Sequence, residues 1–267
     1  MALPADMHVH TEWSWDGYRG DMERSCEVAL DVGLPAIAFT DHAEWNKVHE
    51  GQHSVDITGY HECIERCRAR FKNLRILSGV EFGEPHWFPE EAAKVRAAGP
   101  LDRVLGSIHC IRLGGEPVDA SQFRKRPESD HGPAIKEYLA ETLRMVESDQ
   151  QFQILAHLDY FKRYWPSSLP PYREEDYEEE FRAILTSAQR RGTVLEINTT
   201  RGEDGGRRLC PGLMVLKWWH EVGGEAVSFG SDAHEPDKIA ARFELAQELV
   251  EAAGFKPAPD PVAFWRR

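Results

Sequence analysis

The chain is 267 residues long, 41 % hydrophobic, and carries a formal net charge of −13 from 45 acidic and 32 basic residues. That length suits one large α/β domain spanning residues 1–267, and the acidic balance argues against a phosphate-neutralising surface, so no nucleic-acid partner is expected. Five cysteines without CxxC spacing, no basic leader before an apolar run and no stretch of about 18 apolar residues lead to an expectation of a soluble cytoplasmic protein without disulfide framework, signal peptide or membrane span.

Taken in order, short β-like runs alternate with helical patterns. The first run, residues 5–10, ends in His8 and His10. A helix is expected over 21–32, with Asp21 as N-cap and Gly33 as its stop. The run 36–42 ends in Asp41 and His42; the helix 57–72 carries Ile57, Tyr60, Ile64, Cys67 and Phe71 near helical spacing. The run 76–81 ends in Glu81 and is followed by a short helix at 89–97, with Pro89 at its start and Gly99 beyond its end. Next come a strand at 103–109 ending in His109, a helix at 133–148 and a strand at 153–157 ending in His157. A helix over 174–190 opens on acidic residues, which suit the positive end of its dipole. The strand 193–198 ends in Asn198, a helix spans 211–222, the strand 226–234 ends in Asp232 and His234, and a last helix spans 236–253. The segments 111–132 and 158–173 read as the longest loops.

The order is βα seven times over, which predicts a parallel sheet covered by helices. Polar residues at the C-terminal ends of nearly all the strands favour a closed or nearly closed TIM-like barrel, whose sites occupy that face. A doubly wound open sheet is the alternative, but it gathers a site at one switch point. His8 and His10 lie at i and i+2 of a strand, so both rings share one face; Asp232 and His234 repeat the spacing. Glu81 stands in a run that otherwise reads as core, where an ionised carboxylate needs a cation or a charge-assisted bond. Any one such histidine, taken singly, reads better as a satisfied half-buried residue. Agreement at five strand ends points instead to a cluster of Zn²⁺, Mn²⁺ or Fe²⁺. His49, His53, His61, His86, His131 and His220 fall in loops or helices and read as surface or packing residues.

These segments together resemble the PHP family, named for polymerase and histidinol phosphatase. The resemblance is carried by residues 8–17, 39–42, 79–83, 106–109, 156–159 and 230–234, with 196–198 as a seventh motif, and it leans to the stand-alone histidinol-phosphatase branch. It implies a distorted (βα)₇ barrel with three divalent ions. By that resemblance His8, His10, Glu81 and Asp232 would hold the first ion. Glu81 would bridge to a second, completed by His109 and His157, and Asp16, His42 and His234 would hold the third. Some relatives carry His where this chain has Asp16; a carboxylate there shifts the site towards harder ions.

A phosphate monoester needs positive charge beyond the metals, and Arg supplies it in bidentate form. Arg163 and Arg201 follow the fifth and sixth strands at the expected catalytic mouth; Lys162 is expected to point away. Asn198 either orients substrate or caps its strand end. Trp13, Trp15, Tyr160 and Trp165 are candidate pocket walls, and Glu44 and Glu116 are candidate partners for a substrate ammonium. The expected activity is a metal-dependent phosphomonoesterase, with histidinol phosphate as the small phosphorylated substrate and a metal-bound hydroxide as nucleophile. In that reading Asp16, His42, Glu81, Asp232, Arg163 and Arg201 carry the catalysis. The alternatives are a family phosphatase or phosphodiesterase for another ester or nucleotide, and a non-catalytic metal-binding module.

Overall fold

A computed structural model describes residues 2–48, 55–125, 127–166, 169–170, 172–200 and 209–267. The chain runs β1 (Asp6–Val9), α1 (Met22–Asp31), β2 (Ala36–Phe39), β3 (His42–Ala43), α2 (Ile57–Arg70), β4 (Arg75–Gly83), α3 (Pro89–Ala97), β5 (Arg103–Ser107), β6 (Cys110–Leu113) and β7 (Glu116–Asp119). It continues through α4 (Glu128–Glu147), β8 (Ile154–Leu155), α5 (Glu178–Arg190), β9 (Val194–Asn198), α6 (Leu213–Glu221), β10 (Ala226–Gly230), α7 (Phe243–Ala252) and β11 (Trp265–Arg266). A nine-stranded sheet follows the order β1-β2-β4-β5-β8-β9-β10-β11, with β3 also paired to β4; all pairings but β10 with β11 are parallel.

The sheet curls until its first and last parallel strands meet, but only near their C-terminal ends. There Val9 bridges Ala233, His10 N–H donates to the Ala233 carbonyl at 2.9 Å, and Asp232 N–H donates to the His8 carbonyl at 2.7 Å. At the other end β10 pairs with β11 instead, Ala226 opposite Arg266. The result is a distorted barrel zipped at its mouth. Its lower interior is filled by Ala5, Met7, Ala36, Ala38, Leu77, Leu105, Ile154, Ala156, Val194 and Ala226. Alternate residues of the same strands, such as Ile37, Phe39, Leu195, Ile197, Val227 and Phe229, face the helical layer. This period of two on strands buried on both faces explains their near-continuous apolar runs.

Local chemistry accounts for the helix starts. Asp21 caps α1 by accepting from Arg24 N–H, and Asp56 caps α2 by accepting from Thr58 and Gly59 N–H. Pro89 occupies the first turn of α3, where its missing donor has no helical partner to lose. Three expectations shift. α4 begins at Glu128 rather than 133, with Pro133 inside the helix. The last helix is split, because Ala240 and Arg242 adopt φ of +54° and +65° between a 3₁₀ turn at Pro236–Lys238 and α7. The expected loop 111–132 holds the β6–β7 hairpin, turning through Gly114 and Gly115 at φ +64° and +91°, which glycine adopts readily. No helix among the described residues is long and apolar enough to cross a membrane.

Candidate metal centre

Each strand end delivers a polar side chain to the barrel mouth, and these converge on Glu81. The carboxylate lies on β4 and is fully buried. Its Oε2 is 3.2 Å from His8 Nε2, 3.3 Å from His10 Nε2 and 3.0 Å from His42 Nδ1. Its Oε1 is 2.7 Å from His157 Nε2 and 3.4 Å from His109 Nε2. Asp232 Oδ1 stands 3.2 Å from His10 Nε2 and 3.7 Å from His8 Nε2. On the outer side Asp16 Oδ2 lies 3.0 Å from His234 Nε2 and 3.6 Å from His42 Nε2. All nine residues expected as ligands therefore meet in one place.

The chemistry of this donor set fits divalent cations. Four rings are held through Nδ1: His8 by Glu196, His10 by Ser14 Oγ at 3.0 Å, His109 by Glu44, and His234 by the Asp232 carbonyl at 3.0 Å. With Nδ1–H donating, Nε2 is left as a lone pair facing the cluster. His8 Nε2 and His10 Nε2 approach to 3.0 Å, a crowding of lone pairs that a shared cation relieves. Glu81 Oε2 and Asp16 Oδ1 are buried without a hydrogen-bond partner among the described residues. Groups of three such donors lie close enough to hold one ion, among them His8, His10 and Glu81, or His42, Glu81 and His109. The site binds divalent metal.

Proton affinities are displaced in opposite directions. Burial pushes His10 down to about 4, helped by the neighbouring charge of His42 and His234. In the metal-free protein burial disfavours charge on Glu81 and Asp232 too, yet a charged His8, itself drawn up by Glu196 and Glu81 against burial, holds both carboxyls well below their usual range. A bound cation would take the place of the proton on Nε2. Glu84 is pushed up to about 7 by burial, partly opposed by His109; its Oε1 accepts from the N–H of His109 and of Cys110 at 2.8 Å.

Beside the cluster opens a cavity of about 220 Å³ lined by Trp15, Asp16, His42, Glu44, His109, Asp119, Ser121, Tyr160, Arg163, Tyr164, Thr200, Asp232 and His234. Arg163 Nη2 donates to Asn198 Oδ1 at 2.6 Å and to Asp232 Oδ2 at 2.9 Å, with its guanidinium 4.8 Å from the Tyr160 ring centre. Asn198 is fully buried and accepts from Thr200 N–H at 3.0 Å, so its contacts are those of a strand-end cap that also orients Arg163. Arg201 lies outside the described residues. Lys162 points away from the cluster, buried between Asp159 at 2.6 Å and Glu174 at 3.0 Å.

Of the expected walls, Trp15 and Tyr160 line the cavity, whereas Trp13 packs against the position of Gly59 and Trp165 against Tyr172. Glu116 is corrected: it is exposed, opposite Leu113 beside the hairpin turn, and does not line the cavity. The antiparallel register instead sets Asp119 opposite Cys110, next to His109. Glu44 lines the cavity but is engaged with Trp15 Nε1 at 3.0 Å and with His109. His49 and His53 lie outside the described residues. His86 bonds Glu141, His131 bonds the Phe123 carbonyl, and His220 packs on Phe255, as expected of packing residues.

The supporting carboxylates Glu196 and Glu84 were missed in the sequence. Glu196 carries the same signal as Glu81, a carboxylate inside an apolar run.

A profile of the PHP domain matches residues 6–200. A probable histidinol-phosphatase of Clostridium acetobutylicum is 28 % identical over 256 residues, 94 % of this chain and 94 % of its own length. A histidinol-phosphatase of Lactococcus lactis is 27 % identical over 253 residues, covering 94 % of this chain and 91 % of that protein. The crystal structure of histidinol phosphate phosphatase from Lactococcus lactis, complexed with zinc, L-histidinol and phosphate, superposes with a TM-score of 0.83 at 25 % identity, over 95 % of both chains. With the profile covering well over half of the residues, and the strand-end ligands in place, the chain belongs to the PHP domain family.

Proposed function

We propose that this chain is a metal-dependent phosphomonoesterase acting on L-histidinol phosphate, a step of histidine biosynthesis. The observation that carries the reading is the convergence of six imidazoles and three carboxylates at the floor of a cavity whose wall holds a buried arginine. In this reading His8, His10, Glu81 and Asp232 hold one ion, Glu81, His109 and His157 a second, and Asp16, His42 and His234 a third. Zn²⁺, Mn²⁺ and Fe²⁺ all suit such mixed ligands, and zinc is the ion in the Lactococcus lactis structure. Bound divalent ions supply Lewis-acid charge and lower the pKa of a coordinated water.

The chain's own residues do the rest. Arg163, oriented by Asn198 and Asp232, meets phosphate charge from beside the cluster. Arg201, three positions after Asn198 in the sequence, is proposed for the same role on its charge and sequence position alone. Trp15 and Tyr160 wall the cavity that would take the leaving group. Asp119 and Glu44 give that wall an acidic lining, matched to a leaving group that carries an ammonium.

Phosphate release from metal-analysed protein tests the reading. The panel holds histidinol phosphate, other amino-alcohol and sugar phosphates, a nucleotide and a phosphodiester. Highest kcat/KM for histidinol phosphate is expected. Equal rates across the monoesters would remove the substrate assignment and leave the phosphatase; activity confined to the diester would remove both. Elemental analysis should give close to three ions per chain, and one or none after metal-replete expression would defeat the trinuclear reading.

A further inference from the structure

Glu196 lies on β9 below the barrel mouth and is 1 % exposed. Its two oxygens serve two different strand ends. Oε1 accepts from His8 Nδ1 at 2.6 Å. Oε2 accepts from the His157 backbone N–H at 2.7 Å and from Asn198 Nδ2 at 3.1 Å. The neighbouring strand makes room for it: a Cβ at Gly230 would stand 2.1 Å from Glu196 Oε1 and 2.6 Å from His8 Cβ. His157 sits at φ +24°, a backbone region costly for a residue with a side chain, and the amide of that same residue is the one Glu196 holds.

A proton on His8 Nδ1, given to the carboxylate, leaves Nε2 as a lone pair. That nitrogen faces His10 Nε2 at 3.0 Å, Glu81 Oε2 at 3.2 Å and Asp232 Oδ1 at 3.7 Å. We infer that Glu196 is a positioning residue that locks His8 in the Nδ1–H tautomer and, through the His157 amide, places a second imidazole on the other side of Glu81. One carboxylate thereby prepares ligands that approach the two oxygens of Glu81 from different strands. The inference rests on reading the cluster as a metal centre.

Glu196→Gln is the informative substitution, because the amide keeps the shape and loses one acceptor. If the amide oxygen stays with the two donors from His157 and Asn198, its NH₂ confronts His8 Nδ1. That nitrogen must then accept, and the ring proton moves to Nε2, inside the cluster. Zinc affinity, measured by competition with a chromophoric chelator, should fall by about 10- to 100-fold. The metal-free variant should keep the far-ultraviolet circular dichroism and thermal midpoint of the metal-free wild type. Long-range ¹H–¹⁵N spectra should place the His8 proton on Nδ1 in zinc-loaded wild type and on Nε2 in metal-free Glu196→Gln. Zinc binding by Glu196→Gln as tight as wild type would overturn the inference. So would a wild-type His8 carrying its proton on Nε2, a measurement that needs no variant and stands even if Glu196→Gln fails to fold. Wild type that binds no zinc would bring down the metal-centre reading itself, whereas wild type and variant binding alike would bring down the role of Glu196 alone.

Discussion

The base and the mouth of this barrel are built on the same strands and face the same interior, yet they are held together by different physics. On β4 the base presents Leu77 and the mouth Glu81; on β9 the base presents Val194, with Glu196 two residues above it. The base is apolar and satisfied by burial alone, each large side chain contributing about 1.5–3 kcal/mol. The mouth gathers carboxylates and imidazoles away from water, a costly arrangement unless each charge has a partner. A few residues of strand thus separate a region that stabilises from a region that performs chemistry, and the first supplies the rigidity the second requires.

The sharpest way to break the contrast is at Glu81. Glu81→Gln removes the one carboxylate shared by both groups of imidazoles, and kcat should fall by about 10³-fold, a loss typical of a central electrostatic group. Metal content should fall too, and by more than in any single outer-histidine variant. Near-normal turnover with full metal content would mean that Glu81 does not join the two groups.

At the base, Leu77→Ala should cost about 2–5 kcal/mol of unfolding free energy through lost burial and a residual cavity. The expected signature is a lower denaturation midpoint with unchanged zinc stoichiometry and KM. Loss of bound metal in that variant would show that base and mouth are energetically one unit.

Arg163→Met tests the cavity wall. It should lower kcat/KM for histidinol phosphate by about 10²-fold, with metal content retained. Normal kinetics would reduce Arg163 to a structural partner of Asp232 and Asn198.

The smallest effect is expected far from the mouth, at Glu141 on α4. His86 Nε2, Arg144 and Trp87 Nε1 all bond this buried carboxylate and, against the opposing effect of burial, draw its pKa from 4.5 down to about 2. A folded-state value below the unfolded one stabilises the protein above pH 4.5, and that stabilisation is lost as pH falls towards 2. Chemical denaturation of wild type and Glu141→Gln should therefore converge between those values, with a difference near neutrality on the order of 1–2 kcal/mol. A gap independent of pH would refute the ionic account.

Much of the mouth was legible because strand period and residue type speak together there. His8 and His10 stand at i and i+2 in an apolar run, and nothing in a simple core calls for them. Asp232 and His234 share that spacing in sequence, but β10 ends at Gly230 and Asp232 adopts φ +52°, so the turn beyond the strand and not strand period brings that pair to the mouth. Glu196 carried an equal signal but has no histidine beside it in sequence; its partner His8 is 188 residues away. The β6–β7 hairpin was hidden because its strands, only four residues each and with one arm half-buried along most of its length, lack a buried alternation. That concealment transferred the acidic wall from Asp119 to Glu116. The expected helix opened at 133, whereas α4 begins at Glu128 and carries Pro133 in its second turn.

The zip between β1 and β10 has a consequence for how the molecule comes into being. The imidazoles of His8 and His10 leave the ribosome before Asp232 and His234, which emerge roughly 220 residues later. Joining ends so far apart costs roughly 5 kcal/mol of chain entropy, before the bridge between Val9 and Ala233 returns anything. Until then the outer edge of β1 is an unpaired template open to other chains. Completion of the ligand set and closure of that edge are one event. Metal supplied during synthesis would therefore act as a clasp on a nascent barrel, and metal starvation should be seen first as aggregation of newly made chain.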